Sequence, residues 1–92
     1  MLLDKPYSIR QSNIMADDAR PQKHSLTLKG HRTSVSLEEP FWRAFKHIAQ
    51  QRGLPINVLA AEIDADRGVS TGLASAIRLY VLAHYQDQIT PR

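Results

Sequence analysis

Between Arg32 and Leu37 polar and apolar residues alternate strictly. Arg32, Ser34 and Ser36 share one face and Thr33, Val35 and Leu37 the other, the two-residue period of a half-buried strand. From Phe41 the period lengthens. Phe41, Trp42, Phe45, Ile48 and Ala49 recur at three- and four-residue steps, predicting a helix from about Glu39 to Arg52. Glu38, Glu39 and Pro40 suit its start, where the first amides need no intrahelical partner and the dipole favours acids; Gly53 suits its end as a C′ residue. After a Leu54-Pro55 corner, Ile56, Leu59, Ala60 and Ile63 form the stripe of a second helix that runs out near Asp66 and Gly68. Ser70-Thr71-Gly72 then precede a third helix over 73–85, in which Leu73, Ala76, Ile77, Tyr80, Val81 and His84 line one face. Residues 1–22 hold no sustained period and read as a flexible tail, 23–86 as the folded domain, and 87–92 as a short C-terminal tail.

The chain is thus expected to be mainly helical with one strand, and a lone strand has no ladder partner for its amides and carbonyls. Two solutions are open. Lys29-Gly30 can form a tight turn that brings Leu26 and Leu28 back onto residues 31–35, a register that places Leu26, Leu28, Thr33 and Val35 together. Alternatively the strand pairs antiparallel with its own copy in a second subunit. The second is preferred, because strand, helix, corner, helix would leave Val35, Leu37, Trp42 and Ile63 poorly covered in a monomer. The two can coexist, with residues 24–28 folded against the outer edge of the ribbon.

Charge sharpens the picture. Among 92 residues, 12 Lys and Arg stand against 9 Asp and Glu, a formal net charge of +3. Residues 1–22 and 38–92 each sum to zero, so Lys23, Lys29 and Arg32 carry the whole excess within residues 23–37, beside His24 and His31. So local a basic segment is an electrostatic footprint for a polyanion. Cysteine is absent, and no run of roughly 18 apolar residues could span a bilayer. The expectation is a soluble protein of a reducing cytoplasm with no membrane association.

Thr33-Ser34-Val35-Ser36-Leu37, followed by helices broken at Gly53, resembles the ribbon-helix-helix fold of bacterial repressors of the Arc, MetJ and CopG type. GHRTSVSLEEPFW at 30–42, AAEID at 60–64 and LASAIRLYVL at 73–82 are similar to a bacterial subfamily of that fold. The resemblance implies an intertwined homodimer whose two-stranded antiparallel ribbon enters the major groove of double-stranded DNA, as a transcriptional regulator or repressor. Carried over by position, Arg32, Ser34 and Ser36 become base readers. Lys23, Lys29 and His31, with Ile56 and Asn57 at the start of the second helix, become phosphate contacts. Val35, Leu37, Trp42, Phe45, Ile48, Leu59 and Ile63 become the dimer core. Two departures stand out: Pro55 replaces the hydroxyl cap common in the family, and minimal repressors lack the third helix. That helix is a candidate contact for a protein partner, so an antitoxin-like or adaptor module using the same dimer is the alternative reading.

Blander readings apply elsewhere. Ser36 could instead cap the first helix with Glu39, as S-x-x-E. His24, His31, His47 and His84 lack metal-site spacing, and Glu62, Asp64 and Asp66 read as solvated helix-end acids. No nucleophile-base constellation or Gly-rich phosphate loop is present, so no catalytic site, cofactor or metal is expected.

Overall fold

The computed structural model describes residues 19–89, so most of the tail expected over 1–22 lies outside the described residues. Strand β1 (Pro21–Leu28) and strand β2 (His31–Glu38) are followed by helices α1 (Glu39–Arg52), α2 (Ile56–Asp66) and α3 (Leu73–Ile89). The expectation of one strand per chain is therefore corrected. β1 and β2 pair antiparallel within one chain, with Leu28 opposite His31, Leu26 opposite Thr33 and His24 opposite Val35.

The turn explains why. Lys29 and Gly30 both have positive φ, 52° and 85°, the pattern of a type I′ turn whose twist matches that of the flanking strands. Glycine occupies the second position at no steric cost, whereas Lys29 is an uncommon left-handed residue.

With β1 in place, the inner face of the hairpin carries Leu26, Val35 and Leu37, all buried against Phe45 and Ile48 of α1, Leu59 and Ile63 of α2, and Ile77 and Val81 of α3. A single chain thus covers Val35, Leu37 and Ile63, which a bare strand-helix-helix unit would leave open. β1 and α3 supply the missing cover. Trp42 is half-buried; His24 of β1 stacks on it with ring centroids 4.0 Å apart and planes 9° from parallel.

Local chemistry sets the corners. Gly53 is left-handed, its amide donates to the Gln50 carbonyl at 3.1 Å, and that of Leu54 donates to Ala49 at 2.9 Å, a Schellman closure of α1. Pro55 precedes α2 without a side-chain cap. Arg67 ties the end of α2 to the next loop, with Nε donating to Asp64 at 2.7 Å and Nη1 to the Thr71 carbonyl at 2.6 Å. α3 runs to Ile89, past the expected end at 85, because nothing between Tyr85 and Ile89 interrupts a helix.

Candidate nucleic-acid interface

The register assigns side chains to faces. Lys23 lies opposite Ser36, Ser25 opposite Ser34 and Thr27 opposite Arg32, so these six share the outward face of the hairpin. All are exposed except Thr27, which is half-buried. Arg32, Ser34 and Ser36 are thus brought together as the alternation implies. Ser25 and Thr27 join them, and only the hairpin register could have shown that. Ser36 belongs to this face rather than to a capping box: the N-cap of α1 is Glu38, with no side-chain cap bond.

Lys29 sits at the turn and borders a groove with Thr27, Asn57 and Glu62. His31 does not share the face of Arg32. Its parity is that of Thr33 and Val35, although it borders an open groove that takes in Arg32 and Ser34 as well as Thr33, Asp64, Arg67 and Leu73.

One carboxylate reaches the outward face, that of Glu38 at the far end of β2. Arg78 of α3 holds it with two bonds, Nε to Oε1 at 2.8 Å and Nη2 to Oε2 at 3.1 Å. Those hydrogen bonds hold the Glu38 carboxyl below the usual carboxylate range, despite some desolvation. The neighbouring acid Glu39 turns inward, its Oε2 2.7 Å from His24 Nε2. Neither acid adds free negative charge to the face. Glu62 and Asp64, expected as merely solvated, are engaged with Arg52 at 3.1 Å and Arg67 at 2.7 Å.

The two edges of the hairpin differ. In a two-residue hairpin the residues flanking the turn exchange hydrogen bonds, so the amides of Thr27, Arg32, Ser34 and Ser36 point away from the partner strand. Thr27 confirms the phase by donating its amide outward to Asn57 Oδ1 at 3.0 Å, which fastens the start of α2 to the β1 edge. On β2, among the described residues, no backbone partner meets Arg32, Ser34 or Ser36 on the outer side. At the start of α2 the amides of Ile56 and Asn57 likewise meet no acceptor among the described residues, and Pro55 has no amide to offer. Asn57 therefore spends its acceptor on β1 and keeps its Nδ2 donor out of that bond.

The family model of the ribbon-helix-helix domain matches residues 21–85, from the first residue of β1 into α3. The chain belongs to the ribbon-helix-helix domain family. Ribbon-helix-helix domains are in general DNA-binding regulators that bind as dimers, on a fold that is not enzymatic. No curated protein and no solved structure matches the chain. In this ribbon-helix-helix domain no helix among the described residues is long and apolar enough to cross a membrane, and no group of His, Cys, Asp or Glu among them could hold a metal.

Proposed function

We propose that this domain is a sequence-specific regulator that reads double-stranded DNA with the outward face of its hairpin, as a homodimer joined along the β2 edges. One observation carries the reading: that face offers Lys23, Arg32 and four hydroxyl residues, and Arg78 holds its one carboxylate. Arginine can engage guanine through two hydrogen bonds, and serine can donate or accept at base edges.

The open β2 edge supports the pairing. Its outward backbone groups belong to Arg32, Ser34 and Ser36, so antiparallel pairing about Ser34 satisfies all three in each copy. The resulting sheet has four strands in the order β1, β2, β2, β1. At about 4.8 Å per step its outer strands stand about 14 Å apart, against a major groove about 12 Å wide. Only the central β2 pair can therefore enter deeply. Arg32, Ser34 and Ser36 reach the bases, while Lys23 on the outer strands meets the phosphate walls, with Lys29 at the turns. The open amides of Ile56 and Asn57, with the Asn57 Nδ2, form the adjoining anion site. Occlusion of a promoter follows from such binding.

Gel shifts of the full chain on duplex DNA over a salt series test the proposal. Binding that weakens steeply as salt rises is expected; no binding to any duplex at low salt contradicts it. A protein-interaction role is the second reading, and the apolar outer face of α3 favours it.

A further inference from the structure

Between the end of α2 and the first half of α3 lies an open groove of about 400 Å³. That size falls at the low end of small-molecule sites, ~300–1,000 Å³. Its apolar part comes from both helices: Ile63 of α2 is 7% exposed, Ala76 and Tyr80 of α3 are half-buried, and Leu79 is 60% exposed. The walls are tied in place. Arg67 donates to Asp64 at 2.7 Å and to the Thr71 carbonyl at 2.6 Å, and the Thr71 amide donates to the Gly68 carbonyl at 3.1 Å. On the other side Arg52 of α1 donates through Nη1 to Glu62 of α2 and to the Tyr80 hydroxyl of α3, both at 3.1 Å. A groove held from three helices is preformed, so an occupant does not have to order it.

The charges around the groove select the occupant. Glu62 is paired with Arg52, and Arg67 with Asp64. Asp66 also lines the groove and meets no partner among the described residues. One unmatched carboxylate therefore stands beside an apolar floor and an aromatic ring. An anionic ligand would be repelled by Asp66, and Arg67, the cation among the described lining residues, is already engaged. A polyamine would satisfy Asp66 but leave the floor uncovered. We infer that the groove is a small-molecule site for an organic ammonium ion with an apolar body, its charge set against Asp66 and the Tyr80 ring and its body over Ile63, Ala76 and Leu79.

Asp66 is exposed, so salt screens its attraction. The floor supplies most of the affinity, and the carboxylate selects the sign of the charge. None of the residues lining this groove belongs to the hairpin, so the ligand and DNA do not compete for one surface.

Titration of the full chain with 2-phenylethylamine, followed through the amide resonances in two-dimensional NMR, tests the inference; 3-phenylpropionate and 2-phenylethanol serve as the anionic and neutral controls. The amine is expected to saturate with a Kd of about 1 mM or below, to shift Gly68, Thr71 and Leu79, and to leave Ser34 unmoved. The anion should bind several-fold more weakly, and the alcohol should fall between the two. Asp66→Asn is expected to erase the preference for the amine over the alcohol while keeping the affinity for the alcohol, whereas Leu79→Ala weakens both. Both substitutions fall at exposed positions, and circular dichroism verifies that the fold is retained. No saturation by the amine up to about 20 mM, equal binding of amine and anion, or a preference that survives Asp66→Asn overturns the inference. So does an amine affinity that falls as protein concentration rises, the mark of a groove closed by a second copy. The titration contains no DNA, so a failed gel shift leaves its result standing, and its own failure leaves the DNA reading standing.

Discussion

The guanidinium of Arg78 grips the carboxylate of Glu38 through paired bonds of 2.8 Å and 3.1 Å, joining the middle of α3 to the end of β2 across 40 residues of chain. The pair fixes α3 behind the hairpin and removes the one acidic charge from the surface assigned to DNA. Arg78→Met should cost about 1 kcal/mol at neutral pH, within the range for a half-exposed, well-aligned pair. Arg78 holds the Glu38 pKa below its ordinary value, so the pair contributes fully above the ordinary glutamate range and loses its contribution as pH falls through the lowered value. Urea unfolding at pH 7 and pH 3 should show the gap between wild type and Arg78→Met shrinking at the lower pH. An equal gap at both contradicts the assignment. Arg78→Met should also weaken DNA binding on all sequences alike, and Glu38→Gln in the same chain should restore it.

The turn yields a prediction of opposite sign. Lys29 adopts φ 52°, where asparagine is better tolerated, so Lys29→Asn should stabilise the chain by up to about 1 kcal/mol. Gly30→Ala should destabilise it by roughly 1–2 kcal/mol through backbone strain alone, because an added Cβ would meet nothing within 4 Å. Denaturant midpoints moving in opposite directions are the expected result.

Asn57 predicts a local effect. Its Oδ1 accepts the outward amide of Thr27, so Asn57→Ala should expose that amide, speed its hydrogen exchange and cost about 1 kcal/mol. Asn57→Asp keeps an acceptor and should restore protection at Thr27. Unchanged exchange in Asn57→Ala would remove the bond from the account.

The core predicts the largest loss. Phe45 is fully buried among residues of the hairpin and all three helices, and Phe45→Ala should cost about 3–5 kcal/mol. Thermal melts measure it, and a loss below about 1 kcal/mol would mean that the cluster is not the core.

Helices α1 and α2 and strand β2 were legible from residue spacing, and Gly53 marked the end of α1 because its left-handed cap suits glycine. β1 was harder to read. Only Leu26 and Leu28 show its inward parity, the next inward position is His24, and Lys29 is not a residue type that announces a type I′ turn. The intrachain hairpin is therefore an allowed register, but nothing local to β1 favours it over pairing with a second copy. Arg78 with Glu38, and Trp42 between His24 and the core, were beyond reach, since neither partner's local pattern refers to the other. Of the candidate interface, the trio Arg32, Ser34 and Ser36 follows from alternation. Placing His31 on the opposite face follows from the same parity, and charge alone obscured it.

Selection of bound duplexes from a random DNA pool, followed by titration of Arg32→Ala and Lys23→Ala on the enriched and on scrambled sequences, tests the central claim most directly. The account predicts an enriched palindrome, a loss of roughly 1–3 kcal/mol for Arg32→Ala confined to that sequence, and an equal weakening on both sequences for Lys23→Ala. A pool that shows no enrichment, or an Arg32→Ala loss that is the same on every duplex, would contradict it.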